Sequence, residues 1–287
     1  MTEIIIKTFS SPSLYKSGYM KKSKYVDAHI HLSDDEYVGK VGEILAEARG
    51  SNVVAIVSNS MDFETSVRSL ELAMRYEGEV YAALGIHPWS VDSLTDDNLH
   101  RTCEYILKQT QNRAVVAIGE VGLDYKYEKI WDKQLRVFEE MLRLAEKTGL
   151  PVIIHSRGTT AKIVDMLPSY RLKGVLLHWF SNPISVLSKA VDNGYYISEG
   201  PPVVYSEGIR EIVKQVPLEN LLTETDGPVR YFKSPFDGRL TTPAFLPRVV
   251  SAIAEIKRAE VSEVAWQILK NFEEFFGLKL EKKDEDA

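Results

Sequence analysis

From residue 24 onward, short apolar runs alternate with longer segments in which apolar positions recur every three or four residues. The short runs have the length and the β-branched residues of buried strands, and the longer segments have the period of amphipathic helices. Strands are predicted at 25–30, 53–57, 80–84, 115–118, 152–154, 174–177, 195–197 and 221–225. Helices are predicted between them, most clearly at 38–49, 64–76, 131–147 and 161–167.

This alternation predicts an α/β fold. Repeated units of one strand and one helix build a parallel sheet. Eight such units in a chain of 287 residues suit a single (β/α)8 TIM barrel, since such a barrel takes about 250 residues. No break in composition divides the units. We therefore expect an N-terminal extension at 1–23, a barrel domain at 24–278 and a charged C-terminal tail at 279–287.

Composition and charge narrow the class of protein. The chain is 44% hydrophobic and 26% charged, as in globular proteins with a substantial core. Its apolar runs are far shorter than the roughly 20 residues that cross a bilayer, and its first residues lack the pattern of a secretory signal. The single cysteine, Cys103, allows no internal disulfide. We expect a cytoplasmic protein with no membrane contact, and nothing indicates a protein partner.

The net charge of −6 bears on the substrate. A negatively charged molecule has no global attraction for a polyanion such as DNA. Any substrate that contains phosphate must therefore be held by local contacts.

Histidine and carboxylate residues recur at the ends of the predicted strands. In strand order they are His29, His31, His87, Glu120, His155, His178 and Asp226. Of the six histidines, only His100 lies elsewhere, on a predicted helix. Because the carboxyl ends of all eight strands open on one face of a barrel, we expect these side chains to meet at one mouth.

Each of these residues, taken singly, has an ordinary structural explanation, such as a hydrogen-bonded core histidine or a turn carboxylate. Taken together, they would place several ionisable groups in one cavity, which is costly unless they pair or bind a cation. His29 and His31 also point to the same side of their strand. The pattern predicts one or two divalent metal ions, with Zn, Mg, Mn and similar ions left open.

Six segments resemble motifs of the TatD-like metal-dependent hydrolases, also called TatD-related deoxyribonucleases. They are DAHIHL (27–32), GIHPW (85–89), GEVGLDY (119–125), PVIIHSR (151–157), HWFS (178–181) and TETDGP (223–228). Their order and spacing are similar to those of the family over roughly residues 25–278.

The resemblance implies a barrel with two neighbouring divalent ions. The implied ligands are His29, His31 and Asp226 for one ion, His155 and His178 for the other, and Glu120 as the bridge. His87 is implied to lie beside the ions, where it contacts the substrate or supports a ligand.

The chain departs from the family pattern at three places. Trp89 stands where the GxHPH loop has its second histidine, and Gly158 follows Arg157 where family members often carry Asp. The segment 198–205 differs from the commoner SGxxTF. These departures leave the implied ligands in place and affect the expected substrate.

A metal-bound water has a pKa of about 7, so the expected mechanism needs no Ser or Cys nucleophile. Asp226 is the candidate general base, and Glu120 is expected to be catalytic as the bridge between ions. Glu224 is expected either to orient Asp226 or a ligand histidine, or only to pack or form an ion pair.

Four further residues are candidates for substrate contacts. Arg157 is expected to hold a phosphate by forked hydrogen bonds or to form a structural salt bridge. Trp179, like Trp89 and Phe180, follows a site histidine and is expected either to stack on a base or to pack.

The expected reaction is metal-dependent hydrolysis of a phosphodiester, with a nucleic acid, namely single-stranded DNA or a DNA end, as substrate. The alternative is amide or ester hydrolysis, as in amidohydrolases or D-aminoacyl-tRNA deacylases. Many binuclear amidohydrolases carry a carboxylated lysine at strand four, where this chain has Glu120, and this favours the first expectation. A purely structural metal or a binding scaffold is less expected, since the cluster contains no cysteine.

Overall fold

The computed structural model describes residues 22–181 and 183–280. Eight parallel strands follow one another in chain order around a nearly closed barrel. They are β1 Tyr25–Ile30, β2 Val53–Asn59, β3 Val80–Leu84, β4 Val115–Gly122, β5 Val152–His155, β6 Val175–Leu177, β7 Tyr196–Glu199 and β8 Leu221–Thr223. The (β/α)8 fold class is confirmed. The predicted extension and tail lie outside the described residues, apart from 22–23 and 279–280, so the predicted domain limits remain predictions.

Helices follow the strands on the outside of the barrel. They are α1 Val41–Gly50, α2 Phe63–Arg75, α3 Asp96–Gln109, α4 Trp131–Thr148, α5 Thr160–Met166, α6 Ile184–Asp192, α7 Glu207–Gln215, α8 Leu246–Lys257 and α9 Val261–Phe276. Both α8 and α9 follow β8 and pack against β1 and β8. His100 lies on α3 as predicted, in an exposed pair with Glu104. No helix in the described part of the chain has the length and apolar character needed to span a membrane.

The barrel closes between β8 and β1 through side chains and residues beyond the strand ends. Thr225 donates its hydroxyl hydrogen to Asp27 Oδ2 at 2.6 Å. The backbone N–H of Asp226 donates to the carbonyl oxygen of His29 at 2.9 Å. These contacts fix the first and last strands to each other directly beneath the mouth.

One predicted strand end was wrong in a way that matters for the site. The apolar run suggested that the fourth strand ends at 118 and that Glu120 follows it, whereas β4 continues to Gly122 and contains Glu120. The apolar pattern fails there because Gly119, Glu120 and Gly122 interrupt it, yet every residue of β4 is buried. Glu120 is therefore held by a strand rather than by a loop.

Candidate metal centre

A cavity of about 530 Å³ opens at the carboxyl ends of the strands. Six of the seven residues predicted to meet there line it: His31, His87, Glu120, His155, His178 and Asp226. His29 lies beneath them and is fully buried. The structure thus brings together all the strand-end histidines and carboxylates singled out from the sequence.

Glu120 is the centre of this cluster, and its two oxygens face different histidines. Oε2 lies 3.2 Å from His29 Nε2 and 3.1 Å from His31 Nε2. Oε1 lies 3.0 Å from His155 Nδ1 and 2.8 Å from His178 Nε2. A carboxylate whose two oxygens face separate groups of imidazoles is arranged as a bridge between two cation positions.

On the β1 side, several lone pairs converge. His31 Nδ1 lies 3.1 Å from the carbonyl oxygen of Asn59, which can only accept, so Nδ1 carries the proton and Nε2 is bare in the neutral ring. This Nε2 lies 3.3 Å from His29 Nε2 and 3.7 Å from Asp226 Oδ1. Glu120 Oε2 accepts no hydrogen bond from the described residues. Buried acceptors in such proximity fit a bound divalent cation.

On the β5 side, His155 lies between two carboxylates. Its Nδ1 faces Glu120 and its Nε2 lies 3.0 Å from Asp124 Oδ2. A neutral imidazole has only one N–H and cannot donate to both. A cation between Nδ1 and Glu120 would resolve this conflict and leave Nε2–H to Asp124, as in the carboxylate–histidine–metal arrangement of many metal sites.

His87 differs from the other histidines. The backbone N–H of Trp89 donates to His87 Nδ1 at 3.1 Å, so the neutral ring carries its proton on Nε2. This Nε2–H faces Glu120 Oε1 at 3.2 Å. His87 forms a possible three-residue ligand set with Glu120 and His155 by distance alone. The proton on Nε2 argues against a ligand role and fits a hydrogen-bond donor beside the ions.

Asp124 is a site residue that the sequence analysis missed. It is fully buried and accepts from Trp89 Nε1 at 2.6 Å and from Arg157 Nε at 3.0 Å, besides its contact with His155. Although burial opposes ionisation, these hydrogen bonds hold the pKa of Asp124 well below its usual range. The available signal was its position four residues after Glu120 in GEVGLDY.

Gly122 allows this part of the site to form. Its φ of 152° is outside the range that side chains favour, and a Cβ atom there would lie 2.0 Å from the carbonyl oxygen of His155. Only glycine lets β4 approach β5 this closely. The glycine thereby sets the distance between Glu120 and His155.

Glu224 and Glu199 lie behind His178. Glu224 Oε1 is 3.6 Å from His178 Nδ1, which is too long for a hydrogen bond, and Ser198 donates to Glu224 Oε2 at 2.5 Å. Glu224 is thus at ion-pair distance from His178, and its expected orienting role remains a prediction. Glu199 has no hydrogen-bond partner among the described residues for either carboxyl oxygen. Burial, followed by repulsion from Glu224, raises its pKa well above the usual range.

Burial also affects the two central carboxylates, with different outcomes. Burial opposes the ionisation of Glu120, but the surrounding imidazoles His87, His178 and His29 lower its pKa well below the usual value. For Asp226, burial dominates over the nearby His178 and His31 and raises the pKa. Of the two carboxylates, Asp226 thus has the higher pKa. Its backbone has a φ of 49°, in a left-handed region that Asp tolerates better than most residues.

The predicted substrate contacts have different surroundings. Arg157 lines the cavity, and its guanidinium forms a forked pair of hydrogen bonds with Asp124. A structural salt bridge was one of the two alternatives expected for Arg157 from the sequence. Trp179 and Trp89 line the cavity, whereas Phe180 is fully buried. For Phe180, the burial agrees with the packing alternative. Trp179 has a φ of 40°, so side chains no longer alternate there between the two faces as they do along a regular strand. The side chain of Phe180, the next residue, is buried in the core.

Comparisons with known proteins agree with this geometry. The family model described as TatD related DNase matches residues 26–277. The chain is 32% identical to the metal-dependent hydrolase YabD of Bacillus subtilis, covering 87% of this chain and 98% of that protein. It is 31% identical to human deoxyribonuclease TATDN3, covering 83% and 89%. The crystal structure of YjjV, a TatD homologue from Escherichia coli, is similar with a TM-score of 0.83, 30% identity and coverage of 89% and 98%.

Proposed function

Because the chain belongs to the family of TatD-related deoxyribonucleases, and is thus a metal-dependent hydrolase, we propose that it cleaves phosphodiester bonds in DNA. The observation that carries this proposal is the carboxylate of Glu120 with separate groups of imidazoles on its two oxygens. Two cations on either side of one carboxylate form the clamp that many phosphoesterases use.

The proposed ligands divide according to the two oxygens of Glu120. His29, His31 and Asp226 would hold one ion, His155 and His178 would hold the other, and Glu120 would bridge them. When bound, such ions supply an ionised water and stabilise charge on the phosphoryl group. Zn, Mg and Mn all suit this mixed set of imidazole and oxygen ligands.

The protein residues around the ions would direct the proton and the substrate. Asp226 would accept the proton from the attacking water, since burial raises its pKa. His87 would donate its Nε2–H to a phosphate oxygen, because Trp89 fixes the proton on that nitrogen. Arg157 and Trp179 line the cavity, where they would contact a phosphate and a base.

Single-stranded DNA or a DNA end is the proposed substrate. A cavity of about 530 Å³ admits a phosphate with its adjoining nucleotide rather than an intact duplex, and aromatic side chains at its rim suit unpaired bases. The alternative, amide or ester hydrolysis with a carboxylated lysine as the bridge, is not favoured, since none of the described lining residues is a lysine.

A substrate panel with defined metals would test the proposal. The purified protein would be treated with a chelator, reloaded with Zn, Mn or Mg, and assayed on single-stranded DNA, duplex ends, RNA and an aminoacyl ester. We expect the chelator to abolish hydrolysis of single-stranded DNA and an added metal to restore it. Activity indifferent to both treatments, or preference for the aminoacyl ester, would contradict the proposal.

A further inference from the structure

The loop that connects β8 to α8 presents an unusual side chain to solvent. Phe232 is 79% exposed, more than any other large apolar residue in the described ranges. Lys233 follows it, with its ammonium group 5.3 Å from the ring centroid of Tyr205. No carboxylate of the described residues pairs with this lysine. An exposed aromatic residue is thus followed in the loop by a lysine that has no carboxylate partner among the described residues.

The exposure of Phe232 does not come from a loosely packed loop. Tyr231, Phe236 and Phe245 form a small buried cluster of their own. The hydroxyl of Tyr231 also donates to the carbonyl oxygen of Thr225 at 2.8 Å, next to Asp226. The loop is therefore anchored to the end of β8 while the ring of Phe232 stays outside its core.

The charge of this loop opposes that of the whole chain. Residues 228–240 contain three cationic residues, Arg230, Lys233 and Arg239, and one acidic residue, Asp237, in a chain of net charge −6. Arg230 pairs with Glu36, so Lys233 and Arg239 are the cations of the loop that have no carboxylate partner among the described residues. An anionic strand needs such a local positive region, because the protein as a whole repels it.

The loop is also continuous with the candidate metal centre. Pro228 and Val229 line the cavity, and Phe232 is three residues further along the chain. Three residues span at most about 11 Å. A strand whose reacting phosphate lies in the cavity can therefore reach Phe232 with a neighbouring nucleotide.

We propose that the loop 228–240 is a subsite for single-stranded nucleic acid, in which Phe232 stacks on a base and Lys233 contacts a phosphate beyond the cavity. Aromatic stacking combined with a cationic track is how proteins hold single strands without sequence preference. The subsite rests on the proposed function and adds the contacts that would select a strand over a single nucleotide.

Two variants and two matched controls would test the subsite. The variants are Phe232→Ala and Lys233→Gln. The controls are Trp266→Ala and Lys270→Gln on α9, where the tryptophan is 57% exposed and the lysine lies 4.7 Å from its ring centroid. Each metal-loaded protein would be assayed on a single-stranded oligonucleotide and on bis(p-nitrophenyl) phosphate, a minimal diester that has no neighbouring nucleotide to stack on Phe232.

We expect Phe232→Ala to raise KM for the oligonucleotide by about fivefold or more, with kcat and hydrolysis of the minimal diester unchanged. Lys233→Gln should reduce the salt dependence of log KM by about 0.7, the value for one phosphate contact on a single strand. Both controls should behave like the wild-type protein.

An unchanged oligonucleotide KM in Phe232→Ala would refute the subsite, as would an equal loss of activity on both substrates. The wild-type protein would also be sedimented with phosphatidylserine vesicles. If Phe232→Ala abolishes this binding but leaves the oligonucleotide KM unchanged, the loop would be assigned to a membrane surface instead. If the wild-type protein hydrolyses the minimal diester but no oligonucleotide, the proposed function fails and the subsite fails with it.

Discussion

The two sides of Glu120 are equally buried but differ in how their polar atoms are satisfied. On the side of β1 and β8, the Nε2 atoms of His29 and His31 face each other at 3.3 Å, and Glu120 Oε2 accepts no hydrogen bond from the described residues. On the side of β3 to β5, Asp124 accepts hydrogen bonds from Trp89 and Arg157 and contacts His155. On the first side lone pairs converge, whereas on the second side Asp124 contacts His155 within a hydrogen-bond network.

The difference indicates that the two sides depend on cations to different degrees. An unpaired buried acceptor costs free energy until something binds it, so the β1 side gains most from a cation. The β5 side is held in place by Asp124 whether or not a cation is present. We therefore expect hydrogen bonds to Asp124 to position the ligands of the ion on the β5 side. The ion on the β1 side would be positioned mainly by its direct ligands.

Glu120→Gln should have the largest effect, because it acts on both sides at once. The substitution keeps the shape of the side chain but removes the charge that faces both groups of histidines. We expect kcat/KM to fall by more than about a hundredfold. Substitution of residues that only support metal ligands already lowers metal affinity or activity by about 10- to 100-fold. Metal content and kcat/KM would be measured together.

Glu104→Gln on α3 is the control for this substitution, because it changes an exposed glutamate far from the mouth. Circular dichroism of both variants would show whether the barrel remains folded. Near-normal turnover by folded Glu120→Gln would remove Glu120 from its proposed role as the bridge.

The sequence predicted the positions of the site residues well but not their partners. The alternation of apolar runs located eight strands, and strand-end positions located His29, His155 and Asp226 at one mouth. These positions follow from the regular spacing of apolar residues, which is a local property of the chain. The prediction of side-chain direction fails where the backbone leaves the regular strand, as at Trp179 with a φ of 40°.

The network around Asp124 could not be predicted, because its members are distant in sequence. Trp89 and Arg157 lie 35 and 33 residues from Asp124, on the loops after β3 and β5. These loops are neighbours because β4 pairs with β3 on one side and with β5 on the other. The pattern also cannot say which imidazole nitrogen is protonated, since that depends on contacts such as the carbonyl oxygen of Asn59 behind His31.

Asp124→Asn should separate the two sides. The amide loses the charge that stabilises the N–H of His155, while the β1 side keeps all its contacts. We expect one of two metal-binding events to weaken by about tenfold or more and the other to stay unchanged. Calorimetric titration of the metal-free protein with Zn²⁺ or Mn²⁺ would resolve the two events.

Arg157→Gln is the matched control for the salt bridge, since it removes the cation and leaves Asp124 in contact with His155. Its effect on metal affinity should be smaller than that of Asp124→Asn. Equal weakening of both binding events in Asp124→Asn would contradict the proposed division of the site.

Trp89→Phe should have the smallest effect on metal affinity. It measures how much the network around Asp124 depends on the single hydrogen bond from the indole of Trp89. The phenyl ring cannot donate to Asp124, but the backbone N–H of residue 89 still donates to His87 Nδ1. Trp89 is 43% exposed, so water can replace part of the lost bond, and His155 and Arg157 remain as partners. We expect the affinity of the metal-binding event that depends on Asp124 to fall by about threefold. This is less than the loss expected when a fully buried hydrogen bond to a charged group is removed.

Trp89→His introduces the family residue and keeps a ring donor, so its metal affinity should lie closer to that of the wild-type protein. A loss in Trp89→Phe as large as that in Asp124→Asn would mean that the indole, rather than the carboxylate, holds His155 in position.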